Sequence, residues 1–436
     1  MRRHWRAATL AGAALAAVLA VIYTAAAWTP GSPIGPSIRI SDRRAIADDY
    51  TPAVAWNSAD NQFLVVWADE RNYATGYGDI YGLRLTATGA SIGLSFQISD
   101  AGAGSGEGFP EVVWNSTARQ YLVVWSDGRD FDTRREDIYG QRVSVAGSLV
   151  GGNFRITGAG GTAGDGHPDV AWNSTANEYF VVWDDDRNHT SRGSDIYGQR
   201  VAANGSLLGG NRRLTGAGAV ANDYSPAVAW NGSTNQYLVA WTDYRKEATR
   251  DADVYGRLVS ATGTRVGGDF RVSGLSATAY DGEPDVAWNG TANQFLVVWA
   301  DARNRATVGA DIYGRLLSAS GARLNADFRV GGASRPWSAD AAPAVAWNRT
   351  ANQYLVAWED PRNSDTRALD IYAQRLSVAG ALLSSSFRVC DDLSTSLDRA
   401  PAVAWNRTAN EYLVVWSDWR NTTNPGLDIY GRRIGG

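Results

Sequence analysis

The chain has 436 residues, 44% hydrophobic and 20% charged, with a formal net charge of −4. That is ample for a large core, as several domains or one repetitive one, and it offers no basic surface for nucleic acid. A single cysteine, Cys390, excludes an intrachain disulfide and argues against a cysteine-based metal site.

At the N-terminus, Arg2, Arg3 and Arg6 precede an apolar run from Ala7 to Ala27 that ends in a small-x-small site at Ala25 and Ala27. Residues 1–27 are expected to be a cleaved export signal; the alternative is an uncleaved membrane anchor, since the run is about long enough to span a bilayer. Both place the remainder outside the cytoplasm, whether secreted, periplasmic or at the cell surface. Residues 28–36 then read as a linker and 37–436 as one repetitive domain.

The repeat is set by Trp56, Trp114, Trp172, Trp230, Trp288, Trp347 and Trp405, spaced 58, 58, 58, 58, 59 and 58 residues apart. A fixed period of this size marks a repeat architecture. In the first unit four short runs follow one another: PAVAW (52–56), QFLVVW (62–67), DIYGLRLT (79–86) and SFQIS (95–99). They are rich in β-branched and aromatic residues and separated by turn formers, so each reads as a strand. Four strands, seven times over, predict an all-β, seven-bladed β-propeller with four antiparallel strands per blade. An open solenoid would need atypical capping repeats, and both ends look ordinary. The last unit has only three strands, whereas PSIRISD (36–42) looks like a fourth strand without its first three. The strand 37–41 is therefore expected to complete the last blade and close the ring, removing two exposed sheet edges.

Fourteen of the 18 tryptophans recur two per unit and are expected to pack between blades. After each second strand comes W-x-D-x-R, and eight residues later D-[IV]-Y. The sets are Asp69, Arg71 and Asp79; Asp127, Arg129 and Asp137; Asp185, Arg187 and Asp195; Asp243, Arg245 and Asp253; Asp301, Arg303 and Asp311; Asp360, Arg362 and Asp370; Asp418, Arg420 and Asp428. The second–third hairpin should bring each set together, with the Arg fork between two carboxylates as a structural network. A further acid lies three residues before each first-strand Pro: Asp49, Glu107, Asp165, Asp223, Asp281, Asp340 and Asp398. These are expected either to cap their own loops or to ring the channel mouth, where a cation or a basic partner could bind. Otherwise no metal or cofactor is expected. Six of the first–second turns contain N-x-[ST], for example Asn115–Thr117 and Asn348–Thr350, and read as turns rather than glycosylation sites.

Function should lie where the units differ. The second–third loops and the blade-linking loops vary, and off-pattern Trp337 and Trp419 are candidate anchors for a protein or a glycan. Catalysis has little support: His167 and His189 lack a partner histidine, and the plentiful Asp residues are repeated, which argues for scaffold. A carboxylate pair acting as a glycosidase stays open.

The unit P-x-V-A-W-N…Y-L-V-V-W-x-D-x-R-N…D-I-Y-G-x-R resembles the repeats of TolB-like, WD40-like propellers, and above all those of secreted surface proteins of bacteria and archaea. The resemblance covers residues 37–434 and implies a propeller that acts as an interaction platform. No separate α/β domain fits before residue 37, so a TolB role in envelope transport is not expected. The expected function is thus an exported, non-catalytic platform that binds a protein or glycan at the cell surface. The alternatives are a carbohydrate-binding lectin and, behind it, a carbohydrate-active hydrolase.

Overall fold

The computed structural model describes residues 31–436, apart from 43–46, 72–77, 101–105, 159–162, 217–220, 275–278, 305–308, 333–339, 364–367, 392–395 and 421–425. The expected export signal at 1–27 and the candidate anchor Trp337 lie outside the described residues. Among those described, no helix is long and apolar enough to cross a membrane.

Seven four-stranded sheets follow one another along the chain. The first is built from Asp49–Asn57, Gln62–Asp69, Asp79–Thr86 and Ser91–Gln97, all antiparallel. The later blades repeat this order, with the fourth strand shortened to Phe328–Gly332 in blade five and Phe387–Arg388 in blade six. This is the seven-bladed propeller expected from the repeat.

Second strands such as FLVVW read as continuous apolar runs because both of their faces are covered by neighbouring blades. Trp67, Trp125, Trp183, Trp241, Trp299, Trp358 and Trp416 are fully buried in them. One apolar cluster joins Leu64 and Val66 of blade one to Tyr121, Val123 and Trp125 of blade two, and the same pattern continues around the ring. Each such side chain contributes about 1.5–3 kcal/mol on burial. The first-strand tryptophans are mostly half-buried and lean on the next strand, as Trp114 does on Tyr121 with ring centroids 4.7 Å apart.

The last blade takes its fourth strand from the N-terminus. Pro33–Arg39 pairs with Asp428–Gly435, with Ile38 opposite Gly431 and Arg39 opposite Tyr430. Ile40 N–H carries on to the Ile429 carbonyl at 2.7 Å. The strand thus starts four residues earlier than expected and takes in part of the supposed linker. Gly35, at φ 69°, absorbs a register shift between Ile34 and Ile38, as Gly93 does in blade one at φ 80°. The ladder therefore resumes beyond the glycine, where alternation alone suggests a stop. On the opposite face, Asn115, Asn173, Asn231, Asn289, Asn348 and Asn406 are buried. Their Oδ1 atoms accept N–H groups two or three residues on, so they are turn residues.

Candidate functional site

The W-x-D-x-R…D-x-Y pattern forms a clasp in every blade. The buried indole N–H donates to the Asp carboxylate at 2.8–3.2 Å. The Arg Nε donates to the same carboxylate at 2.8–2.9 Å. The guanidinium then lies 3.8–4.1 Å from the centroid of the D-x-Y tyrosine ring. The expected fork between two carboxylates of one hairpin is not what forms, because the tyrosine occupies the guanidinium's face. The D-x-Y aspartates instead take an arginine from the fourth strand: Asp137 from Arg155, Asp195 from Arg213, Asp253 from Arg271, Asp311 from Arg329, Asp370 from Arg388 and Asp428 from Arg39. Blade one has Gln97 in that place, opposite the Asp79 hairpin.

The second acidic series is buried. Asp49, Glu107, Asp165, Asp223, Asp281, Asp340 and Asp398 each sit inside a blade, and none lines the channel mouth. Six of these acids pair in register with the clasp aspartate of their own blade, as Asp49 does with Asp69. Burial first, and then the clasp carboxylate, push Asp49, Glu107, Asp165 and Asp281 up to about 9 and Asp223 to about 10. Asp340 is also raised, for the same reasons. These six are held as neutral acids beside the arginine-paired clasps, and the series does not form an open carboxylate ring.

Among the described residues, one group of ligand-type side chains comes within 4.8 Å of one another: Asp370, Cys390 and Asp398. Cys390 occupies the place of Ser99, Thr157, Thr215 and Ser273 in other blades. Its thiol donates to Asp370 Oδ1 at 3.4 Å, much as Thr157 does to Asp137 at 2.7 Å. Hydrogen bonding accounts for this group.

The repetition fails at the inner strands. Each first strand carries a bulge before its proline, and the residue there takes a left-handed φ of 45–54°: Thr51, Phe109, His167, Ser225, Glu283, Ala342 and Ala400. Non-glycine residues reach this region only at a cost of about 1–3 kcal/mol, and such strain concentrates at functional sites. The seven bulges line one recess of about 580 Å³ at the channel mouth. Two residues further along each strand stand Ala53, Glu111, Asp169, Ala227, Asp285, Ala344 and Ala402.

At this position three blades therefore place a carboxyl in the recess and three a methyl, while Ala53 of blade one lies outside its lining. Asp169 accepts the N–H groups of Val170 and, across the blade boundary, Val228, both at 2.6 Å. Asp285 does the same with Val286 and Val345 at 2.7 Å. Burial pushes Asp169 up to about 6 against these N–H donors. Burial and the Asp169 charge push Asp285 up to about 7. Glu111 is raised well above the usual range by burial and by the charges of Asp169 and Asp285, with one opposing N–H from Val112. Nearby carboxyls with pKa values driven apart are the usual arrangement for an acid and its ionised partner. Capping inner-strand N–H groups does not explain them, because the four alanine blades fold without an acid there.

His167 sits beside them. Its Nδ1 is 2.9 Å from Asp184 Oδ1, and its ring lies 4.4 Å from that of Phe109, which is 47% exposed. Burial lowers the imidazole's pKa, but Asp184 and Glu283 more than offset this and leave it raised. Trp419 is 45% exposed on the loop-bearing side and does not line the recess. Reading the variable loops missed Glu111, Asp169 and Asp285. The signal was there, as acids at the one first-strand position where the other units have alanine.

No protein-family model matches the chain, and no curated protein matches it. Solved structures do share its fold. An alpha-L-arabinanase of Penicillium chrysogenum in complex with arabinobiose aligns at 15% identity over 80% of this chain and 100% of its own, with a TM-score of 0.51. The GH93 alpha-L-arabinofuranosidase of Fusarium graminearum, also with arabinobiose, aligns at 11% identity over 92% and 98%, TM-score 0.51. A sialidase of Streptococcus pneumoniae aligns at 9% over 93% and 71%, TM-score 0.51. The likeness to TolB-like repeats thus stands at the level of the propeller fold. The expected non-catalytic platform is corrected: the three structures just named, which share the fold, are an arabinanase, an arabinofuranosidase and a sialidase, and the recess holds the asymmetric acids that the repeated Asp series lacks.

Proposed function

We propose that the protein is a carbohydrate-active hydrolase whose reaction takes place in the channel-mouth recess. The observation that carries this reading is the trio Glu111, Asp169 and Asp285, present in three blades and replaced by alanine in the other four. Glycoside hydrolysis uses one neutral carboxylic acid to protonate the leaving oxygen and one carboxylate on the other side of the bond. Glu111, held neutral, suits the first role. Asp169, whose two N–H donors favour its anion, suits the second. Asp285 keeps Glu111 protonated through its charge. The glycan-complexed structures that share the fold support the substrate class. The leader-like residues 1–27 support action outside the cytoplasm, where polysaccharides are met, and the likeness to TolB-like repeats of secreted surface propellers supports the same location.

The test is hydrolysis of arabino-oligosaccharides and a panel of other glycans by the protein and its Glu111→Gln variant. Turnover should rise with pH through about 6, as Asp169 ionises, and should fall at higher pH as Glu111 loses its proton. Glu111→Gln should lower kcat by about 10²–10⁴-fold. Turnover that survives in Glu111→Gln would remove this residue from the role. Binding without turnover in either form would make the protein a lectin.

A further inference from the structure

We infer, on the reading that glycans are processed in the recess, that its substrates are uncharged sugars and that sugars bearing a carboxylate are rejected. The charge of the wall carries this. Among the described residues, those lining the recess include four carboxyl groups, Glu111, Asp169, Glu283 and Asp285, of which Glu111 is held neutral, and neither lysine nor arginine. Of these described lining residues, His167 is the one able to carry positive charge, and it is already matched by Asp184 at 2.9 Å. Proteins bind carboxylates with guanidinium forks or ammonium groups. Burying a substrate carboxylate here would set like charges together with no counter-ion, which costs several kcal/mol.

Neutral sugars meet the opposite situation. Their hydroxyls are donors, and an ionised carboxylate offers about four acceptor sites, of which Asp169 and Asp285 use only part on backbone N–H groups. The recess is also lopsided in size. Blades six and seven line it with alanine, proline and valine alone, Ala342, Ala344, Ala400 and Ala402 among them, which leaves space for an uncharged ring facing the acids. Phe109, on the acidic side, offers an apolar face of the kind that packs against the C–H face of a sugar. Its volume is in the range of small-molecule sites.

The experiment uses the full chain with two sets of fluorogenic aryl glycosides. One set carries neutral sugars (arabinofuranose, xylose, galactose, glucose) and the other carries sialic, glucuronic and galacturonic acids. Binding of the matching free disaccharides to the Glu111→Gln variant is measured in parallel. The expected result is turnover and binding confined to the neutral set, with kcat/KM for every acidic sugar at least about 100-fold lower. Equal or better turnover of any acidic sugar would overturn this inference and leave the hydrolase reading standing. Failure to turn over or bind any member of either set would overturn both. Glu283→Gln removes one wall charge outside the proposed acid pair. It should raise the acidic-to-neutral ratio of kcat/KM roughly fivefold, and an unchanged ratio would show that wall charge is not the discriminator.

Discussion

The second–third hairpins and the mouths of the first strands are built from the same unit and have opposite histories along the chain. At the hairpins Trp, Asp, Arg and Tyr recur seven times in one geometry. At the mouths the backbone geometry recurs seven times, with the same left-handed bulge, and the side chains do not. A clasp must do one thing in every blade: join two strands and hold one ionised carboxylate against a buried tryptophan. A recess on the ring axis is shared by all blades, so each can contribute a different group. Repetition of a side chain therefore marks stability here, and repetition of a strained backbone with changing side chains marks a site.

The largest break of the comparison is removal of the ring's closure, which stability and site both need. Deleting residues 33–41 takes away the fourth strand of blade seven and the Arg39–Asp428 pair. It also exposes the edge of Asp428–Gly435. Loss of cooperative unfolding, or aggregation, is expected on thermal melting. A deletion variant that melts like the full chain would show that closure contributes little.

The next two changes separate the regions. Asp185→Ala leaves the buried Trp183 indole and the solvent-accessible Arg187 without their carboxylate. It should lower stability by about 1–3 kcal/mol in denaturant titration, while kcat of the remaining folded protein stays unchanged. Glu111→Gln should do the reverse, removing activity and leaving the denaturation midpoint within about 0.5 kcal/mol or raising it, since a neutral amide replaces a neutral acid. If both variants lose stability alike, the division between clasp and site fails.

Much of this was legible without coordinates. The 58-residue period, the four strands and the borrowed closing strand follow from the Trp spacing, from the lone strand at 36–42 and from a last unit with only three strands. The clasp was legible as a set of residues but not in its pairing, because cross-strand register cannot show that Tyr81 takes the face of Arg71. The Asp49 series misled for a related reason. Position along the chain put it near a mouth, and only packing shows that each acid turns into its own blade. Glu111, Asp169 and Asp285 were hidden by the habit of reading function in loops. They lie within strands, at a position where alanine in four blades makes the acids look like variation in a core.

Six buried acids of the Asp49 series also make the stability of the blades depend on pH. In the unfolded chain they titrate near the ordinary carboxylate value of about 4, and in the fold several titrate near 9 to 10. Between these limits the native state holds more protons than the unfolded one, so stability falls as pH rises. Their contribution is complete below about pH 4 and is lost as the pH climbs through 9. Asp169, Asp285 and His167 are raised too and act with the same sign. Asp327 and Asp391 oppose this on the acid side. Against the upward push of burial, Arg303 holds the first, and the Ser37 hydroxyl and N–H hold the second, below the usual range, so their contribution is lost as pH falls under about 4. The Tm should therefore be highest near pH 4–5 and drop by something on the order of 5 °C by pH 9. Replacing one member, Asp223→Asn, keeps the hydrogen bond from the Trp241 indole N–H and removes one titrating proton. That variant should flatten the slope of Tm against pH between 5 and 9, and an unchanged slope would locate the buried protons elsewhere.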